Sequence, residues 1–155
     1  MKSDKIQGLI LRDSSFKYDS HYLGYFKQFN DGRYYEAHDV LEALWLPSRG
    51  QSLDLFYKGL IQLAGAFVHL QKGRLKPAVA LLNLSEKNLL LFPENHEGMD
   101  LLMVLQLIKR WREEIERNSF TINPLGKPHM SQPILFLEGR NPNGGSADPH
   151  MKACE

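Results

Sequence analysis

One predicted helix constrains the fold more than any other segment, because apolar side chains surround it. This helix spans about residues 52–72, and at 100° per residue its apolar positions cover most of its circumference. They are Phe56, Leu60, Ile61, Leu63, Phe67, Val68 and Leu70. A helix that is apolar on all sides needs neighbours on all sides. The sequence therefore predicts a compact multi-helical bundle with this helix buried at its centre and other helices around it.

Four further segments show helical periodicity, and no segment shows the sustained alternation of a strand. We predict these helices at about 20–29, 33–46, 77–91 and 100–118. Ser52 is the predicted N-cap of the central helix. Pro47 is expected to end the helix before it, because the residue that precedes a proline is pushed out of the helical conformation. The predicted fold class is all-α.

Composition divides the chain into three parts. Residues 1–18 form a short lead-in without a sustained period, and residues 19–118 form the helical domain. Residues 119–155 hold five prolines and the sequence Asn-Pro-Asn-Gly-Gly. We therefore expect a Pro/Gly-rich tail that is partly disordered, in which only the apolar residues 134–137 dock on the bundle.

The helical domain contains one internal similarity. Residues 32–37 align with residues 73–78 at an offset of 41, and both segments place a small residue shortly after a turn glycine. Two stacked helical hairpins in one bundle explain this pattern as well as a helical solenoid does.

The charge and cysteine content exclude several classes of protein. The chain has 19 Lys and Arg against 18 Asp and Glu, a formal charge of +1, so we expect no nucleic-acid surface. Residues 109–112 contain three basic side chains, but glutamates follow them directly and offset their charge. The apolar runs are too short to span a bilayer, and the single cysteine, Cys154, excludes an intrachain disulfide. We therefore expect no membrane contact and a cytoplasmic location.

Polar residues on the second and third predicted helices form the candidate site. On the helix before Pro47, His38, Glu42 and Trp45 share one stripe at the edge of the apolar face. A second polar line, made of Lys58, Gln62 and His69, runs along the central helix. Since buried polar groups need partners, we expect the two lines to face each other. Glu36 and Asp39 are expected to point to solvent.

The chain resembles the bacterial and archaeal family DUF309. The resemblance is carried by residues 29–45, which contain the pattern His-x-x-x-Glu-x-x-Trp as His38, Glu42 and Trp45, and by Lys58-Gly-Leu-Ile-Gln-Leu-Ala64. It covers about residues 20–112. What the resemblance implies is an all-helical domain with one central helix and a motif suggested to bind metal. It implies no reaction, because no function is assigned to the family.

Two interpretations of the candidate site remain open. In the first, His38, Glu42 and His69 bind a divalent metal or the site binds a small ligand, with Trp45, Lys58 and Gln62 lining it. Glu36 and His96 are poorer metal ligands, and the donor set is compatible with Zn, Mn, Fe or Ni. In the second, which we weigh ahead of metal binding, these side chains form a structural hydrogen-bond network in a non-enzymatic interaction or scaffold module.

The sequence leaves open whether the protein is an enzyme. His38 with Glu42 would suit a general base, and Lys58 would suit an anion. No activated nucleophile accompanies them, and no phosphate-binding glycine loop is present. The aromatic residues of the first two helices suit either core packing or a subunit interface, so a homo-oligomer is a further expectation.

Overall fold

The computed structural model describes residues 2–10 and 18–138. Within them it contains six helices and one pair of two-residue strands. The helices are α1 (Lys2–Gln7), α2 (Ser20–Asn30), α3 (Tyr34–Ser48), α4 (Asp54–Gln71), α5 (Leu75–Leu89) and α6 (Leu101–Arg117), and the antiparallel strands are β1 (Asn95–His96) and β2 (Met99–Asp100). The all-α prediction is confirmed. None of the helices in this part of the chain is long and apolar enough to cross a membrane.

Helix α4 occupies the centre of the bundle, as its apolar pattern predicts. It packs against α3 on one side and α5 on the other. The Tyr25 hydroxyl of α2 donates to the Leu60 carbonyl at 2.7 Å, and Phe67 packs edge to face on Trp111 of α6. The core between these helices includes Phe29, Phe56 and Phe67, all with no exposed surface.

One side of α4 is nevertheless open to solvent, which the sequence analysis did not predict. Leu55 and Lys58 are exposed, and Gln62 and His69 are half-buried along the same line. The polar line of α4 is therefore its solvent edge and not a buried feature. The described helices around α4 cover most of its apolar positions, and its polar positions lie on the side that these helices leave open.

Helices α2–α3 and α4–α5 form two hairpins that repeat the same turn. Gly32 and Gly73 both have positive φ, +76° and +71°, which only glycine adopts at little cost. The next residue in each turn donates its N–H to the carbonyl of the residue five positions earlier, Arg33 to Gln28 and Arg74 to His69. The offset of 41 in the sequence thus marks a structural repeat of two helical hairpins, and α3 and α5 match each other from first residue to last.

Several predicted helix boundaries are wrong. Helix α3 continues through Pro47 to Ser48, because the bias against helical geometry before proline is a preference and not a prohibition. The Ser48 hydroxyl donates to the Leu44 carbonyl at 2.9 Å, which strengthens this last turn. Ser52 is not an N-cap, since α4 begins at Asp54 after Leu53 without a side-chain cap. Helix α5 begins two residues before Pro77 and ends at Leu89.

The two ends of the chain contain more ordered structure than predicted. The lead-in includes α1, whose Ile6 is buried. After α6 the chain crosses the bundle as an ordered strap (residues 119–138). Asn123 donates to the Leu70 carbonyl at 2.6 Å, and the side-chain amide of Asn30 makes two hydrogen bonds with the backbone of Leu135, at 2.7 and 2.8 Å. Leu135 and Leu137 are buried, so residues 134–137 do dock on the bundle as predicted. The rest of the predicted tail, residues 139–155, lies outside the described part of the chain.

Candidate functional site

Trp45 fixes the connection between α3 and α4. Its indole N–H donates to Asp54 Oδ1 at 2.5 Å, and the backbone N–H of Gly50 donates to Asp54 Oδ2 at 2.8 Å. These two donors, Gly50 first, lower the pKa of the Asp54 carboxyl because they stabilise its charged form. The Arg49 guanidinium lies 5.8 Å from the centre of the Trp45 ring. Trp45 therefore holds the turn between two helices and is not directed at an open ligand site.

His38 takes part in a polar cluster that joins α3 to α1. Its Nε2 lies 3.7 Å from Glu42 Oε2, and its Nδ1 lies 3.4 Å from Asp39 Oδ1. The other Asp39 oxygen pairs with Lys5 Nζ at 3.3 Å. Tyr35 stacks on the His38 ring at 6.3 Å between ring centres, and Lys5 Nζ lies 4.8 Å above the Tyr35 ring. The expectation that Asp39 points to solvent is wrong, since this residue is only 6% exposed.

The register of α3 and α4 places the two predicted stripes at the same height. These helices are antiparallel, with Trp45 against Asp54 at one end and Tyr34 packed on Phe67 at the other. Counting inwards from these contacts sets His38 level with Gln62 and Glu42 level with Lys58. The hydrogen-bond partner of Gln62 is nevertheless on the other neighbour, since the Asn88 amide of α5 donates to Gln62 Oε1 at 2.8 Å. Gln62 therefore ties α4 to α5.

His69 lies at a different height from His38. It is seven residues beyond Gln62, which is about 10 Å along the helix axis at 1.5 Å per residue. The neighbouring Gln71 reaches the α2–α3 turn and donates to the Gly32 carbonyl, so this end of α4 is level with the start of α3. His69 Nδ1 is buried without a hydrogen-bond partner. Burial, and after it the nearby Arg74 and Lys72, lowers the pKa of the His69 imidazole.

The structure does not bring His38, Glu42 and His69 together as a metal-binding group. Among residues 4–10 and 18–138, no three His, Cys, Asp or Glu side chains are arranged to hold a metal ion. The poorer candidates do not complete the set: Glu36 lies 3.8 Å from Arg33, and the His96 ring packs on Phe56 and Phe92, each at 4.9 Å. His38 and Glu42 remain a half-exposed pair on one helix.

A small cavity lies away from these residues, between α6 and the strap. Its walls are mainly apolar and include Met103, Leu107, Ile134 and Phe136. The volume is about 40 Å³, whereas sites for drug-sized ligands measure roughly 300–1,000 Å³. The cavity is thus too small for such a ligand.

Asp39 and Asp54, which accept the contacts of His38 with α1 and of Trp45 at the α3–α4 turn, were not among the predicted site residues. Asp54 was left out of the candidate site, whereas its partner Trp45 was included. The short loop between α3 and α4 is the one signal that would have brought Trp45 and Asp54 together. No local signal predicts the Asp39–Lys5 pair, because its partners are 34 residues apart.

These observations define an all-helical protein built on two repeated hairpins, with its polar motif used between helices. The family model of DUF309, described as a domain of unknown function, matches residues 22–81. The resemblance found in the sequence is therefore confirmed over this stretch. The match covers both hairpins as far as the first half of α5. No curated protein and no solved structure matches the chain.

Proposed function

We propose that the chain is a helical interaction module in which the His38–Glu42–Trp45 motif has a structural role. One observation carries this proposal: the polar side chains of the motif make their contacts within the chain. Trp45 bonds to Asp54 across the α3–α4 turn, and His38 lies against Asp39, which reaches α1 through Lys5. A module that positions helices precisely needs such contacts, because they select one packing over its alternatives.

The surface of the bundle supports an interaction role for the module. Several large apolar side chains are exposed on its helices, including Leu84 on α5 and Leu102 on α6, at 45% and 48%. Exposed leucines are common singly, but groups of them mark sites of protein contact.

The proposal is tested first by a metal titration. The chain, purified without a metal-binding tag, is titrated with Zn²⁺, Mn²⁺ and Ni²⁺ by calorimetry, beside the variant Glu42→Gln. A structural motif gives no stoichiometric binding in either protein. Binding of one ion per chain that Glu42→Gln abolishes would contradict the proposal and establish a metal site on α3.

The structural role of Trp45 is tested by the variant Trp45→Phe. This change keeps an aromatic ring beside Arg49 but removes the indole N–H, so we expect the free energy of unfolding to fall by about 1–2 kcal/mol, as for other hydrogen bonds to a charged, partly exposed acceptor. Urea denaturation measures this loss. A second variant, Asp54→Asn, keeps one acceptor oxygen for the indole but turns its NH2 group to the Gly50 N–H, so it should also lower the free energy of unfolding. A Trp45→Phe protein as stable as the wild type would refute the structural role.

A further inference from the structure

The open side of the α4–α5 hairpin combines exposed leucines with lysines. We call it the α4–α5 surface and define it by Leu55, Lys58, Leu84, Lys87 and Leu91. The three leucines are 39%, 45% and 64% exposed, and both lysines are exposed.

Helix geometry places these side chains on one side of the hairpin. Leu84 and Lys87 follow the spacing i, i+3 on α5, and Leu55 and Lys58 follow it on α4, so each pair lies along one face. Leu91 lies in the turn directly after α5. Phe92 packs on Phe56 at 5.6 Å between ring centres, which keeps Leu55 and Leu91 at the same end.

Two glycines allow α4 and α5 to approach closely beneath this surface. A Cβ atom added at Gly59 would lie 2.9 Å from the Leu89 side chain, and one at Gly65 would lie 3.1 Å from Leu81 Cδ1. The Ser85 hydroxyl also donates to the Gly59 carbonyl at 2.7 Å. The two helices therefore form a rigid, closely packed base that presents its leucines in a fixed arrangement.

The residues that define the α4–α5 surface include two lysines and no carboxylate. Neither Lys58 nor Lys87 forms an ion pair with another described residue. Asp54 lies one turn before Lys58 and interacts with its charge, whereas Glu86 is directed to α6. Asp54 accepts from Trp45 and Gly50, and Glu86 pairs with Arg112 of α6 at 3.0 Å on one oxygen and 3.1 Å on the other. A partner with acidic side chains would complement this surface.

We propose that the α4–α5 surface binds an acidic amphipathic helix of another protein, which lays its apolar side on the leucines and its carboxylates beside Lys58 and Lys87. This inference rests on the proposed interaction function and names its surface and partner chemistry. Helices that lie in grooves bind through apolar anchors at such spacings, and opposite charges set their orientation and speed their association. A second copy of the chain is the poorer occupant, because it would bring like charges together.

The experiment uses designed helical peptides as probes. One peptide carries leucines at i, i+3 and i+7 flanked by glutamates, a second has lysines in place of the glutamates, and a third has alanines in place of the leucines. Fluorescence anisotropy measures the binding of each peptide to the full chain at low and moderate salt. We expect only the first to bind well, at least about tenfold more tightly than either control peptide, and to weaken as salt screens the charges.

Variants of the chain locate the binding. Lys58→Glu/Lys87→Glu should weaken the binding of the acidic peptide at least about tenfold, equivalent to 1.4 kcal/mol or more. The equal charge reversal Lys109→Glu/Arg110→Glu on α6 should leave the affinity for this peptide within about twofold of the wild type. Leu84→Ala/Leu91→Ala should weaken it as well. Backbone NMR shifts on binding should concentrate in residues 55–62 and 84–91. All variants are exposed substitutions, and circular dichroism confirms that each remains folded.

Four outcomes would overturn the inference. The first two are equal binding of the acidic and basic peptides and NMR shifts centred elsewhere on the chain. The third is a concentration-dependent dimer that Leu84→Asp abolishes. The fourth is binding to phosphatidylserine vesicles that Lys58→Glu/Lys87→Glu abolishes, while the acidic peptide does not bind. The dimer would make a second copy the occupant, and the vesicle result would make it a membrane surface. Failure here is separable from failure of the proposed function, because the metal titration and Trp45→Phe examine the motif on α3 and neither depends on the peptide.

Discussion

Gly24 of α2 meets the backbone of the N-terminal segment, and replacing it with alanine tests how that segment is held. A Cβ atom at Gly24 would overlap with the Leu9 carbonyl oxygen and would lie 3.0 Å from Ile10 Cα. Backbone atoms cannot rotate away as the end of a side chain does. We therefore expect Gly24→Ala to force residues 4–10 off the bundle.

The size of the effect follows from what that movement exposes. Ile6 and Leu9 are 5% and 7% exposed, and burying such a side chain contributes about 1.5–3 kcal/mol each. Part of this loss is offset by regained chain freedom and by the better helix propensity of alanine, about 1 kcal/mol. We expect a net fall of about 1–3 kcal/mol in the free energy of unfolding, within the usual range for steric disruption.

Urea denaturation measures the loss, and amide hydrogen exchange shows where it arises. The Leu9 and Ile10 amides both donate to the Ile6 carbonyl, and both should lose protection in Gly24→Ala. Gly65→Ala is the matched control: it is also a glycine inside a helix, but its Cβ would meet only the end of the Leu81 side chain at 3.1 Å, so its stability should change little. A Gly24→Ala protein with wild-type stability and unchanged Leu9 and Ile10 protection would refute the reasoning, as would an equal loss in Gly65→Ala.

Two further predictions concern the C-terminal part of the chain. Asn30→Ala removes both hydrogen bonds to the Leu135 backbone and should lower the free energy of unfolding by about 1–3 kcal/mol. Gln132→Ala removes one exposed hydrogen bond to the Asn30 carbonyl and should lower it much less. Urea denaturation compares the two variants. Deleting residues 141–155 should leave the melting temperature nearly unchanged, because the sequence Asn-Pro-Asn-Gly-Gly offers few apolar side chains for burial. A large drop measured by calorimetry would show that this segment contributes to the fold.

The helices were predictable because their signals are local. Turn glycines, apolar periodicity and the capping residue Asp100, whose side chain accepts from the Met103 N–H, act within a few residues of chain. The repeat of the two hairpins was visible for the same reason, since Gly32 and Gly73 mark identical turns. Pro47 shows the limit of local signals, because a helix stabilised by tertiary packing continued through it.

The contacts of the candidate site were less predictable because they depend on which elements meet. Lys58 and Gln62 do lie level with Glu42 and His38, whereas His69 does not. Other elements supply the partners of these residues. Gln62 accepts a hydrogen bond from Asn88 of α5, and Asp39 of α3 pairs with Lys5 of α1. A helical wheel gives the direction of a side chain relative to its own helix and not the identity of the neighbour there.

The structural repeat gives His69 a counterpart and, with it, a prediction about pH. At the end of α2 the equivalent position is Gln28, which is uncharged at every pH, whereas His69 can take up a proton. Burial lowers the pKa of His69 in the folded chain, while an unfolded histidine titrates near 6.5. As the pH falls below about 6.5, the unfolded chain binds a proton at this residue that the folded chain does not, so the free energy of unfolding decreases.

His69→Gln should remove this contribution and make stability between pH 7.5 and 5.5 less dependent on pH, as measured by urea midpoints across that range. The same pH dependence in both proteins would show that the His69 imidazole is as free to protonate in the bundle as in the unfolded chain.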